Sequence, residues 1–211
     1  MNLRGKIVNF LGDSITEGVG VETCVDKRYD NIIKEKCGLK KSYNYGISGT
    51  RIAYQMKPSE EPSWDLYFCG RVCLMNKEAD VIVVYGGVND YTHGDAPFGT
   101  VDSEDEYTFC GAVNSLINKL KNDFPNSEII FLTPLHRLEE NNPSEPDSKV
   151  LADYAEAIVE ICGRRGVSVI DLFKINPLDP ADSELVPDGL HPSDKGHSIM
   201  ADVVAEEMLK M

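Results

Sequence analysis

Ile7-Val8-Asn9-Phe10-Leu11-Gly12-Asp13-Ser14 is the stretch on which the reading of this chain turns. Ile7 to Leu11 is an apolar, β-rich run closed by a glycine, and it reads as a short buried strand. Ser14 then stands where a strand hands over to a loop. In an open α/β sheet such a strand end borders the crevice where ligands and catalytic groups collect. Far downstream, Asp188-Gly189-Leu190-His191-Pro192 supplies a carboxylate and an imidazole three positions apart. A serine, a base and a carboxylate that orients the base are the groups nucleophilic acyl transfer requires.

Outward from that strand, strand-like and helix-like segments alternate. A helix is predicted over 27–37, closed by Gly38, then a short strand over 42–45 and a helix over 64–77. Asp80 to Tyr85, before Gly86-Gly87, is the strongest strand. A polar loop, 88–103, leads into a helix over 103–122. There Ser103 and Glu106 fit a capping box, and Phe109, Val113, Leu116, Ile117 and Leu120 recur at helical spacing. A strand over 128–132, a polar loop over 134–147 and a helix over 148–165 follow. The chain finishes with a strand over 167–170 and a helix over 193–210, with Ser193 as its N-cap. Strands separated by helices imply a parallel sheet covered on both faces. The expected fold is therefore α/β: a three-layer α/β/α sandwich with a five-stranded parallel sheet, flavodoxin-like, in a single domain over 1–211.

Composition narrows the partners. The 211 residues carry a formal charge of −14, which excludes nucleic acid as a target because phosphate binding wants clustered Lys and Arg. The same charge disfavours anionic membranes, and no apolar run is long enough for a membrane span. The N-terminus enters the first strand without a signal-like segment, so a cytoplasmic location is expected. The six cysteines lack C-x-x-C spacing and read as ordinary thiols, neither disulfide framework nor zinc ligands. The glycines of 12–20 lack the lysine of a phosphate loop. No cofactor and no metal is called for, and nothing specifies an oligomeric state.

In a parallel sheet all C-terminal strand ends share one edge. The residues that follow the strands are Gly12-Asp13-Ser14, Gly46-Ile47-Ser48-Gly49, Gly87-Val88-Asn89-Asp90 and Thr133-Pro134-Leu135-His136, and the last strand leads on to Asp188 and His191. Four blocks occur in order: Gly-Asp-Ser, Asn-x-x-x-Ser-Gly (Asn44 to Gly49), Gly-x-Asn-Asp and Asp-x-x-His-Pro. Through them the chain resembles the SGNH hydrolases, the GDSL-type esterase and lipase superfamily, with Ile15 where the name has leucine. The G-x-S-x-G elbow of the α/β-hydrolases is absent.

The resemblance implies Ser14 as nucleophile, His191 as general base and Asp188 as its orienting carboxylate. It implies an oxyanion hole from the backbone N–H groups of Ser14 and Gly49 and the side-chain amide of Asn89. Arg51, Tyr91 and His136 are further candidates for substrate contact from the same edge. His93 follows Asn89 in the polar loop, and His197 in the last helix is expected to be structural. The expected activity is cleavage of carboxylic esters, small-molecule substrates with a short acyl group on a polar alcohol or sugar. Lysophospholipid esters and acyl thioesters are the alternatives within the fold. A non-catalytic nucleotide- or sugar-binding module is the alternative outside it.

Overall fold

A computed structural model describes residues 1–211. Five strands, β1 (Ile7–Gly12), β2 (Lys41–Gly46), β3 (Val81–Tyr85), β4 (Glu128–Leu132) and β5 (Ser168–Ile170), form one sheet in the order β2-β1-β3-β4-β5. Every neighbouring pair is parallel. Eight α-helical segments surround the sheet: α1 (Ser14–Glu17), α2 (Tyr29–Cys37), α3 (Phe68–Arg71), α4 (Val88–His93), α5 (Phe109–Asp123), α6 (Leu151–Arg165), α7 (Leu172–Ile175) and α8 (Asp194–Lys210). None is long and apolar enough to cross a membrane.

The strands alternate their side chains between two cores. Ile7 and Leu11 of β1, with Ile82 and Val84 of β3, face a core completed by α5 and α6. Val8 and Phe10, with Val81, Val83 and Tyr85, face a second core completed by α2 and α8. Burial on both sides is why the strands read as continuous apolar runs. Gly46, Gly12, Tyr85, Leu132 and Ile170 lie across from one another, so the strands finish in one row. The chain leaves β1 for neighbours on opposite sides, β2 and β3, and this strand order puts the crevice at the end of β1.

Three larger differences from the sequence-based expectation stand out, beside helices α2 and α6, which start only two and three residues late, at Tyr29 and Leu151. α5 starts at Phe109 and is capped by Thr108, whose Oγ1 accepts the Gly111 N–H at 3.2 Å. Ser103 instead accepts from Asp105, and the Asn114 amide captures the carbonyls of Val101 and Ser103. A Cβ on Gly111 would fall 2.1 Å from the Asp105 carbonyl oxygen, so the preceding segment packs across the first turn and does not extend it. The helix predicted over 64–77 is broken into short turns: 3-10 at Pro62–Asp65, α3, and 3-10 at Val72–Leu74. Cys69 is therefore buried while Cys73 is exposed. Finally, the loop after β3 opens with a helix, α4, which carries Asn89.

Candidate active site

Ser14 is the first residue of α1, directly after β1. Asp13 caps that turn, its Oδ1 accepting the Ile15 N–H at 3.0 Å. The remaining members come from the loop before α8. Asp188 Oδ1 accepts the backbone N–H groups of Leu190 at 2.9 Å and His191 at 2.7 Å, so the loop folds back over its own carboxylate. Gly189 turns the corner with φ +75°, and a Cβ there would also strike the Leu138 side chain. Asp188 Oδ2 is left for the imidazole and lies 2.6 Å from His191 Nδ1. His191 Nε2 lies 3.0 Å from Ser14 Oγ.

The electrostatics suit this line of groups. Partial burial by itself would raise the Asp188 pKa, but the hydrogen bonds from the His191 and Leu190 backbones and from the His191 ring outweigh it. The carboxyl is held below its ordinary 3.8. An ionised carboxylate takes the Nδ1 hydrogen and leaves the Nε2 lone pair facing the serine hydroxyl.

Gly49 follows β2 with φ +73° and is covered by Trp64, whose ring would overlap any Cβ placed there. Asn89 projects from α4, and its Nδ2 donates to the Thr50 carbonyl at 3.0 Å, which places the amide beside the Gly49-Thr50 backbone. The surrounding loops are tied down by buried polar groups. Asp90 accepts the backbone N–H groups of Ile52 and Ala53 at 3.0 and 2.9 Å. Burial pushes its carboxyl up to about 6 against those two bonds. Asn44, the first residue of the Asn-x-x-x-Ser-Gly block, donates to the Thr16 carbonyl at 2.6 Å and accepts from Gly46 at 2.9 Å. It thereby joins the end of β2 to α1.

Arg51, Tyr91 and His136 are each engaged by protein partners. The Arg51 guanidinium, 3% exposed, donates to His93, Asp65, Ser59 and the Trp64 carbonyl. The Tyr91 hydroxyl is directed to the carbonyls of Glu139 and Asn142 at 2.7 and 2.8 Å, pinning the loop after β4. His136 has Nδ1 within 2.9 Å of both Glu140 carboxylate oxygens, Nε2 2.8 Å from the Phe173 carbonyl, and its ring stacked on Phe173. The neighbourhood also holds residues with little or no signal in the sequence. Arg71 is buried beneath the strand ends, Trp64 lies against Gly49, and the ring of His93 stands beside Asn89. Of these only His93 had a sequence signal, its spacing of four from Asn89. His197 is wholly buried against Tyr29. No group of three or more His, Cys, Asp or Glu side chains is arranged to hold a metal ion.

The comparisons agree with this architecture. The model of the GDSL-like Lipase/Acylhydrolase family matches residues 10–199. Among solved structures, the chain is similar to a protein from Lactobacillus plantarum, at 27% identity and a TM-score of 0.82 over 98% of each chain. It shares its fold with a possible lipase from Chitinophaga pinensis, at 21% identity and a TM-score of 0.74 over 97% of this chain and 98% of that one. It also shares its fold with an acetyl xylan esterase, AlAXEase, at 23% identity and a TM-score of 0.66 over 95% of this chain and 98% of that one. No curated protein matches. A family match from the end of β1 into α8 takes in β2 to β5 and every block, and the chain therefore belongs to the GDSL-like lipase/acylhydrolase family and is a hydrolase of the esterase and lipase type.

Proposed function

We propose that this hydrolase cleaves carboxylic esters with Ser14 as nucleophile, His191 as general base and Asp188 as the carboxylate that orients and stabilises the imidazole. The observation that carries the reading is the unbroken line from Ser14 Oγ through both ring nitrogens of His191 to Asp188, at 3.0 and 2.6 Å. A serine hydroxyl is a weak nucleophile until a neighbouring imidazole accepts its proton. Ser14 Oγ attacks the ester carbonyl as His191 Nε2 takes the hydroxyl proton. His191 then returns that proton to the departing alkoxide, leaving an acyl-Ser14 ester. A water, deprotonated by the same nitrogen, attacks that ester, and the collapse of the intermediate releases the acid while His191 passes the proton to the departing Ser14 Oγ, restoring the hydroxyl.

The negative oxygen of each tetrahedral intermediate would be met by the N–H groups of Ser14 and Gly49 and by the Asn89 amide. Removing one such donor typically costs about 10²–10³ in turnover.

The substrate favoured by this reading is a short acyl ester, acetyl above all, of a polar alcohol or sugar. The Trp64 ring stands against Gly49, one of the lateral donors, which limits the room beside the carbonyl. An open cleft of about 390 Å³ beside Trp64 and His93 also carries Lys57, Ser59, Glu60 and Asp95, side chains able to hydrogen-bond the hydroxyls of a polar alcohol or sugar. An acetyl ester of a sugar is also what the name of one fold neighbour, the acetyl xylan esterase, implies for that protein.

A fluorophosphonate probe and a p-nitrophenyl ester series test both parts. Wild type is expected to be labelled on Ser14 and to hydrolyse the acetate, while Ser14→Ala does neither. Turnover above about a tenth of wild type in Ser14→Ala would remove Ser14 as the nucleophile. No labelling and no hydrolysis in wild type would favour a binding module. A higher kcat/KM on the octanoate than on the acetate would favour the lysophospholipase alternative.

A further inference from the structure

Asn89 and His93 stand four residues apart on α4 and so share one face of it. His93 Nε2 lies 3.2 Å from Asn89 Oδ1, and His93 Nδ1 lies 3.1 Å from an Arg51 guanidinium nitrogen. A guanidinium has hydrogens to donate and no lone pair to offer. Nδ1 is therefore the acceptor, and the single hydrogen of the neutral ring sits on Nε2, aimed at the Asn89 carbonyl. This fixes which way the amide points. With Oδ1 on His93, the NH₂ group faces the Gly49-Thr50 segment, where one hydrogen goes to the Thr50 carbonyl and the other has no protein acceptor. A flipped amide would set NH₂ against the Nε2 hydrogen and turn a lone pair toward the incoming oxyanion.

Each link behind the imidazole is itself immobilised. Arg51 NH1 also donates to the His93 carbonyl at 3.1 Å, and its NH2 is paired with Asp65 at 2.9 Å. The Trp64 ring lies 4.8 Å from the His93 ring, tilted by 39°. Burial, with Arg51 adding to it, pulls the His93 pKa down to about 4, so the ring is neutral under ordinary conditions. Neutrality is the one state whose hydrogens match both partners. A hydrogen bond received on the amide carbonyl also polarises the amide and strengthens the N–H it offers.

We infer that His93 is a positioning residue for ester hydrolysis: held by Arg51, it orients the Asn89 amide as an oxyanion donor. The inference rests on the role proposed above for Asn89. His93→Phe keeps a ring against Trp64 and removes both polar atoms. His93→Gln restores a carbonyl for Arg51 and an N–H for Asn89. On p-nitrophenyl acetate, His93→Phe is expected to lower kcat about 10- to 100-fold, with KM nearly unchanged, because the donor is loosened and not deleted. His93→Gln should recover most of that loss. In an Asn89→Ala background, His93→Phe should cost nothing more, since the two residues act as one unit.

Wild-type kcat in His93→Phe, a glutamine variant no better than phenylalanine, or an undiminished loss in the Asn89→Ala background would each overturn the inference. Thermal melting shows whether a variant is folded. Should the phenylalanine variant not fold, His93→Asn, too short to reach both partners, is read by the same criteria. Fluorophosphonate labelling of Ser14 in wild type separates this outcome from failure of the underlying mechanism, because labelling does not require His93 to act.

Discussion

The guanidinium of Arg71 donates to the carbonyl of Gly12 at 3.1 Å, reaching from α3 to the last residue of β1 beneath the serine turn. The same group donates to Thr50 Oγ1 at 3.0 Å and to the Tyr45 carbonyl. One buried side chain therefore ties together the ends of β1 and β2 and the turn that carries Gly49. Burial pulls its pKa down to about 10, with the nearby Asp13 opposing, and it remains charged at neutral pH.

Replacing that side chain should loosen the site and the fold together. Arg71→Met removes three hydrogen bonds, and of their acceptors the Gly12 carbonyl keeps another donor, the Ile47 N–H, so the variant is expected to lose about 2 kcal/mol or more of stability. Arg71→Lys should recover only part, because an ammonium lacks the fork that spans three partners. Urea unfolding measures both. A loss under about 1 kcal/mol in Arg71→Met would show that the clamp is dispensable.

His191 and His136 both stand in loops after strands, yet they should respond differently to removal. His191→Ala takes away the ring that faces Ser14 and is expected to cost roughly 10³-fold or more in turnover on an acetyl ester. Both ring nitrogens of His136 are engaged by Glu140 and the Phe173 carbonyl, so neither is free to receive the serine proton. His136→Ala should therefore lower the melting temperature and leave kcat within about threefold of wild type. A collapse of kcat in His136→Ala beside near-normal His191→Ala would reverse the assignment.

The carboxyl of Asp13 gives the fold a pH dependence of definite sign. Burial pushes it from 3.8 up to about 7, against the pull of the Ile15 N–H and of Arg71. Stability from keeping it neutral is complete below the unfolded value, near 3.8, and is lost as pH rises through about 7. His197 works in the opposite direction. Burial pulls its ring from 6.5 down to about 4, so its contribution is present above 6.5 and lost as pH falls through 4. Comparison with Asp13→Asn cancels the His197 contribution, which both proteins share. The melting temperature of the variant relative to wild type is expected to rise between pH 5 and pH 8. An equal difference at both values would show that Asp13 does not carry the effect.

Much of the architecture was legible before any coordinates. Strands buried on both faces are written as apolar runs, so β1, β3 and β4 could be located nearly to the residue, and the alternation with helices implied a parallel sheet. The start of α5 could not, because two capping signals compete there. Ser103-x-x-Glu106 matches the local pattern, but Asn114 and Gly111 make room for segment 103–107 to fold across the helix end. The helix expected over 64–77 has the right apolar spacing. It breaks where Leu66 and Tyr67 leave helical geometry and Phe68 donates its N–H to the Arg51 carbonyl.

The sequence by itself determined the sheet, the strand ends and the chemistry-bearing residues at each end, since periodicity and short blocks are local properties. Tertiary structure alone decided what those residues face. Ser14 meets His191 across 177 positions, Arg51 turns inward to His93 and Asp65, and Tyr91 turns away to the loop after β4. A side chain's type is fixed by its codon, but its partner is fixed by which loops the sheet brings to one edge and by which buried donors still lack an acceptor once they are there.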